Sequence, residues 1–163
     1  MERRGSGSRS FEHVRFPPPV LYLLDTNVFR EVQKGPQGHP NVRAWLGTVD
    51  DADLRLSVMT IVEARRGIAK LAKSDADRAG KLERSLDAVV AAYRQRVVEI
   101  DRDVAAEWGR LVGEKDKHRD DMAFAASARV HGGVLVTRNV KDFVGRGVRV
   151  LDPFKRKPEV VTV

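Results

Sequence analysis

Val20-Leu21-Tyr22-Leu23-Leu24-Asp25-Thr26-Asn27-Val28-Phe29 decides how the rest of the chain is read. An unbroken apolar run ends on a carboxylate and is followed by two small polar residues suited to a turn. A short apolar run bounded by turn chemistry reads as a buried, central strand of a parallel sheet. Asp25 then stands at the strand's carboxyl end, where open α/β sheets place their ligands. Thr26 or Asn27 suits the cap of a helix running on through Val32. Two readings of Asp25 stand open here: a helix cap, or one member of a site assembled from several element ends.

Working outward, residues 34–40 read as a loop by their Gly and Pro content. Val42, Trp45, Leu46 and Val49 recur at helical spacing and predict a short amphipathic helix. Asp50-Asp51-Ala52-Asp53 closes it as a solvated turn, since the Gly and distal Glu of a calcium loop are missing. Residues 54–58 alternate as a second strand. Thr60-Ile61-Val62-Glu63 has capping-box spacing, with Thr60 as N-cap and Glu63 as its partner. Ile61, Ala64, Ile68, Leu71 and Ala72 give that helix its buried face. Gly67 costs about 1 kcal/mol relative to Ala inside a helix and is read as a mark of close packing.

Leu82, Leu86, Val89 and Tyr93 predict the next helix, residues 97–100 a third strand, and Val104, Trp108, Leu111 and Val112 another helix. A charged loop at 114–119 leads to Asp120-Asp121. Phe124, Ala125 and Ala128 continue the helical line from Asp121, and Gly132-Gly133 stops it. Residues 134–137 and 148–151 read as fourth and fifth strands, and Val160-Val161 as a sixth, edge-type strand. Strands alternating with helices argue a three-layer α/β/α sandwich on a mainly parallel sheet. Residues 1–19, with Gly5-Ser6-Gly7-Ser8 and Pro17-Pro18-Pro19, read as a flexible basic leader. Residues 20–152 form the expected domain, and 153–163 a basic C-terminal tail.

Composition bounds the function. With 163 residues, 42% apolar and 33% charged, the chain suits one soluble domain. The absence of cysteine rules out disulfides and thiolate metal sites and fits a reducing cytoplasm. No apolar run approaches the roughly 20 residues needed to span a bilayer, and no continuous hydrophobic segment marks a secretory signal. A cytoplasmic protein with no membrane partner is expected. The formal net charge of +7 favours a polyanionic partner.

Asp25, Glu63, Asp121 and Asp142 all fall at element ends. Singly, each has a structural explanation as a cap or a complement to a helix dipole. Jointly, strand ends and the starts of the helices that follow share one sheet edge, and capping alone does not explain four acids there in a basic protein. Clustered carboxylates without His or Cys are hard-oxygen ligands suited to Mg²⁺ or Mn²⁺. A divalent cation in such a cluster activates a water and neutralises phosphate charge, the needs of phosphodiester hydrolysis. The histidines His13, His39, His118 and His131 form no zinc pattern. No GxGxxG or GxxxxGK[ST] segment is present, and Ser57 and Ser127 lack a nucleophile-elbow context.

Leu23-Leu24-Asp25-Thr26-Asn27, Ser57-Val58-Met59-Thr60-Ile61-Val62-Glu63 with Gly67, Asp121 ahead of Phe124-Ala125-Ala126-Ser127-Ala128, and Thr137-Arg138-Asn139-Val140-Lys141-Asp142-Phe143 together resemble the PIN-domain ribonucleases. Within that family the chain is most similar to VapC-type toxins of bacterial toxin–antitoxin pairs. The resemblance runs in order over residues 21–151. It implies that Asp25, Glu63, Asp121 and Asp142 bind metal, with Thr26, Asn27, Thr60, Thr137 and Asn139 as the polar residues around them. It also implies a Mg²⁺-dependent endoribonuclease, with Mn²⁺ as a substitute, that inhibits translation by cutting RNA. A cognate antitoxin would silence it by placing an Arg or Lys in the acidic pocket, and a homodimer is usual. Trp45 and Tyr93 read either as plain core or as interface residues of such a dimer.

Two departures stand out: the leader, and the doublet Asp120-Asp121. Helical register favours Asp121, which shares the face of Phe124 and Ala125. Two other readings compete. A phosphoryl-transfer acid pocket needs a DxD motif that Asp25-Thr26-Asn27 does not supply. A non-catalytic PIN-like RNA-binding module predicts a missing acid, and none is missing.

Overall fold

Leu23 and Leu24 are wholly buried, and the strand that carries them, β1 (Tyr22–Leu24), lies between two parallel neighbours. The computed structural model describes residues 20–112 and 119–163. On one side of β1 is β2 (Leu54–Ser57), followed outward by β3 (Val97–Val98). On the other is β4 (Val134–Val136), then β5 (Arg149–Leu151) and β6 (Val160–Thr162). The sheet order is β3-β2-β1-β4-β5-β6, parallel except for β6, which pairs antiparallel with β5. Residues of the expected basic tail thus supply the edge strand.

Alternation along β1 divides the core. Leu23 packs with Leu135 and Val150 against α5 (Arg102–Leu111) and α6 (Arg119–Val130), through Val104, Leu111, Met122 and Ala126. Leu24 faces the other way, with Leu56, Val136 and Leu151, against α1 (Thr26–Gln33) and α2 (Pro40–Leu46). Each fully buried Leu or Val contributes about 1.5–3 kcal/mol. The expected α/β/α sandwich is the fold found. The helices α3 (Val58–Ala72) and α4 (Ala76–Tyr93) pair with each other at one end of the sheet. Among the described residues no helix is long and apolar enough to cross a membrane.

Several expectations change. The capping box at Thr60 and Glu63 is not formed. β2 passes straight into α3, so Ser57 is the N-cap and its hydroxyl accepts the Met59 N–H at 3.1 Å. Thr60 is buried inside the helix and donates weakly to the Leu24 carbonyl, 3.4 Å away. Glu63 therefore sits in the second turn. Gly67 marks no close approach: a Cβ there would meet nothing within 4 Å. Trp45 and Tyr93 are core residues, 5% and 9% exposed, edge-on to Tyr22 and Phe29 respectively, which is the plain-core alternative for them.

The close approach is at Gly133 instead, where a Cβ would fall 2.7 Å from the Leu21 side chain. Gly132, at φ +61°, turns the chain out of α6 as expected of that doublet. The charged loop expected at 114–119 lies, apart from Arg119, outside the described residues, as do the leader, His13 and His118.

Candidate active site

Asp25 caps a helix and also stands beside other element ends at the sheet edge. Its Oδ1 accepts the Val28 N–H at 2.9 Å and caps α1, while its Oδ2 accepts the Thr137 hydroxyl at 2.5 Å. Its own N–H continues the ladder to the Val136 carbonyl at 3.0 Å. Thr137 directly follows β4, and its Oγ1 also accepts the Asn139 N–H at 3.0 Å. Two adjacent strand ends are thereby tied together at the carboxyl edge of the sheet. A small pocket opens there, walled by Asp25, Thr26, Asn27, Glu63 and Asp121, with Thr137, Asn139, Phe124 and Phe143 completing it. Its volume of about 30 Å³ exceeds the roughly 10–15 Å³ that one water needs.

Three chain segments far apart in sequence deliver the carboxylates. Asp25 comes from the β1–α1 junction, Glu63 from α3 and Asp121 from the first turn of α6. The doublet is divided. Asp121 lines the pocket, whereas Asp120 pairs with Arg66 at 2.8 Å and is half-exposed. Asp142 lies in a 3-10 turn, Val140–Phe143, held by its N–H to the Asn139 carbonyl. It does not line the pocket; its neighbour Phe143 does. Thr60 lies outside the lining too. Among the described residues no three acid or histidine side chains converge closely enough to grip one ion directly.

Phe124 and Phe143 are the walls that sequence reasoning left out of the site. Phe124 stands one helical turn beyond Asp121, so the i, i+3 spacing carried the signal. Nothing in the sequence showed which face of a 3-10 turn would hold Phe143, 2% exposed in the core.

Electrostatically the pocket works against itself. Asp25 is 7% exposed, and its pKa is pushed up to about 6 from an ordinary 3.8. Burial is the main cause and the nearby Glu63 charge adds to it, against hydrogen bonds from Thr137, Val28 and Asn27. At 1.36 kcal/mol per pKa unit, ionising Asp25 costs the fold about 3 kcal/mol at neutral pH. The folded pKa lies above the unfolded one, so the folded state keeps a proton that the unfolded state has lost. Stability from this group is complete below about pH 4 and falls away as pH rises through about 6.

The hydroxyl of Thr26 is buried with no hydrogen-bond partner among the described residues, an expensive omission unless something in the pocket supplies one. In a chelating buffer, Asp25→Asn is expected to melt several degrees above wild type at pH 7 and to match it near pH 4. A thermal series across that range checks this; a gap that did not change with pH would deny the strain at Asp25.

Residues 22–144 match the family model described as PIN domain. Toxin FitB of Neisseria gonorrhoeae is 30% identical over 139 residues, covering 82% of this chain and 99% of FitB. VapC ribonuclease Y4jK of Sinorhizobium fredii is 27% identical over 150 residues, covering 83% and 99%. Among solved structures, FitAB bound to an IR36 DNA fragment superposes with a TM-score of 0.71 at 28% identity, covering 84% of this chain and 98% of that one. FitAcB from Neisseria gonorrhoeae gives 0.70 at 29%, covering 82% and 99%.

Proposed function

Because the chain belongs to the PIN-domain family, among FitB- and VapC-type toxins of toxin–antitoxin pairs, we propose that it is a Mg²⁺-dependent endoribonuclease whose cutting of RNA inhibits translation. The observation that carries this is the convergence of Asp25, Glu63 and Asp121 on one small pocket at the carboxyl edge of the sheet. Net charge of +7 supports a polyanionic substrate.

The residues suit a hard divalent cation. All three acids are oxygen donors, Thr26 offers an unpartnered hydroxyl, and a cation would relieve the charge that burial penalises at Asp25. Carboxylates that do not close on a point also suit Mg²⁺, which keeps several waters and takes one or two carboxylates. Asp142, next in sequence to the wall residue Phe143, enters the proposal as the fourth acid. Mn²⁺ is the expected substitute.

When bound, such a cation supplies charge neutralisation at the scissile phosphate and a more acidic water. Asp25 is held in one orientation by Thr137 and the Val28 N–H, so the ligand needs no rearrangement. Asn27 and Asn139, both exposed at the mouth, present amides to the phosphate oxygens. Phe124 and Phe143 keep bulk water from two sides, which strengthens every charge interaction inside. An antitoxin that sets an Arg or Lys among these carboxylates would both neutralise and plug them. A homodimer of the toxin completes the proposed assembly.

The test is direct. Purified protein incubated with total RNA is expected to degrade it in Mg²⁺ or Mn²⁺ and to leave it intact in EDTA. RNA that survives in Mg²⁺ would refute the enzymatic reading.

A further inference from the structure

Asn27 and Asn139 have a second role in the surface. They wall the acid pocket on one side and, on the other, a larger open groove bordered by Arg30, Lys34, Arg138 and Phe154. The two depressions are therefore adjacent, with Asn27 and Asn139 between them. Lys34 is neutralised within the groove by Glu31 at 2.6 Å, and Glu31 is occupied further by the His39 N–H. Arg30 and Arg138 are exposed and form no ion pair among the described residues, so their charge faces whatever enters.

Arg138 is also pre-positioned. Its guanidinium carbon lies 5.0 Å from the centre of the Phe154 ring. That ring is half-buried, and its residue is fixed at both backbone ends: the carbonyl accepts the Asn41 side-chain amide at 2.6 Å and the N–H reaches Asp152 at 2.9 Å. A guanidinium held over an aromatic ring offers a fork to phosphate and a plane to a base, with less rotamer freedom to lose. Lys155, Arg156 and Lys157 follow Phe154 directly and are all exposed, which adds positive charge on the same segment of chain.

We propose that Arg138 and Arg30 bind the single-stranded RNA segment that flanks the scissile phosphate, with Phe154 as the positioning residue that holds Arg138. This rests on the reading of the chain as a nuclease. The chemistry is that of single-strand recognition: phosphates taken by arginine, and a base stacked on a guanidinium or aromatic face without dependence on sequence. An acid pocket repels a polyanion, and a cationic groove beside it answers that repulsion.

The experiment measures binding of the intact protein to a fluorescein-labelled, mixed-sequence single-stranded RNA dodecamer in EDTA, over a salt series. Cleavage of the same RNA in Mg²⁺ runs in parallel. Arg138→Ala is expected to weaken binding by about 5- to 150-fold and to flatten the logarithmic salt slope by about 0.7, one single-strand phosphate contact. Arg30→Ala should flatten the slope similarly. In cleavage, both raise KM and leave kcat nearly unchanged. Phe154→Leu should reproduce part of the Arg138→Ala rise in KM with kcat and melting temperature nearly unchanged, and Phe154→Tyr should keep KM near wild type; a rise in KM that came only with a lowered melting temperature would be loss of packing. Arg84→Ala, on α4 outside both depressions, serves as control.

Wild-type affinity and salt slope in the Arg138→Ala and Arg30→Ala proteins would overturn the proposal, and a groove used by a protein partner instead of RNA gives that result. Failure of wild type to bind the dodecamer would overturn it as well. Binding in EDTA is judged without catalysis, so a protein that binds as expected yet never cleaves RNA refutes the nuclease reading and leaves the groove supported.

Discussion

Replacing Asp25 by Asn is expected to lower RNA cleavage by at least about 100-fold, the scale seen when a group stabilising developing charge is removed. The amide oxygen still accepts the Val28 N–H, so the α1 cap survives. What goes is a negative donor in the pocket, and with it the attraction for a divalent cation. Folding should survive and, without metal near neutral pH, improve, because the buried charge behind the pKa of about 6 is gone. Growth arrest on expression should disappear in step with cleavage. Loss of activity with gain of stability is the behaviour of a functional residue that opposes folding. A variant cleaving at near wild-type rate would leave Asp25 as a cap alone.

The doublet gives the second large effect. Asp121→Asn takes a carboxylate out of the pocket lining, and cleavage is expected to fall by a similar factor of about 100 or more. Among the described residues Asp120→Asn breaks the pair with Arg66, side chains 47% and 67% exposed. Such a surface pair contributes about 0–1 kcal/mol, so this variant should keep most of its activity and nearly all its stability. Paired rate measurements on the two proteins decide it. Equal losses would mean that both acids feed the site.

Much of this was legible in the sequence because periodicity is physical. The apolar run ending at Asp25 has to be buried on both faces, and β1 lies at the centre of the sheet. The line from Asp121 through Phe124 and Ala125 has to face inward, and it does. The misreadings share a cause, which is that local pattern competed with tertiary geometry. Thr60 had the spacing of a cap, but β2 enters α3 with no intervening loop, so the hydroxyl three residues earlier takes the role.

Gly67 carries the helix cost of a packing glycine, yet among the described residues no neighbour comes near enough to need it. Trp45 and Tyr93 stay open between core and interface in the sequence because the ring partners beside them, Tyr22 and Phe29, lie far away along the chain. Asp142 shows the limit most clearly. Its distance from β4 suits the site and it stays in the proposal, but spacing alone did not show that in the 3-10 turn Phe143, and not Asp142, lines the pocket. The groove carrying Arg138 was beyond reach for the same reason, since Phe154 is brought to it by the chain beyond β5.

One measurement bears most directly on the acid pocket as a cation-dependent hydrolytic site. End-labelled RNA is incubated with the wild-type protein in Mg²⁺, then with excess EDTA, then with Mg²⁺ restored, and the cut ends are analysed. The pocket predicts cleavage in the first stage, arrest in the second and return in the third. Water attack on the phosphodiester, not attack by the neighbouring 2′-hydroxyl, should leave ends free of 2′,3′-cyclic phosphate. Cleavage that continues undiminished in EDTA, or that yields cyclic phosphate ends, would contradict it.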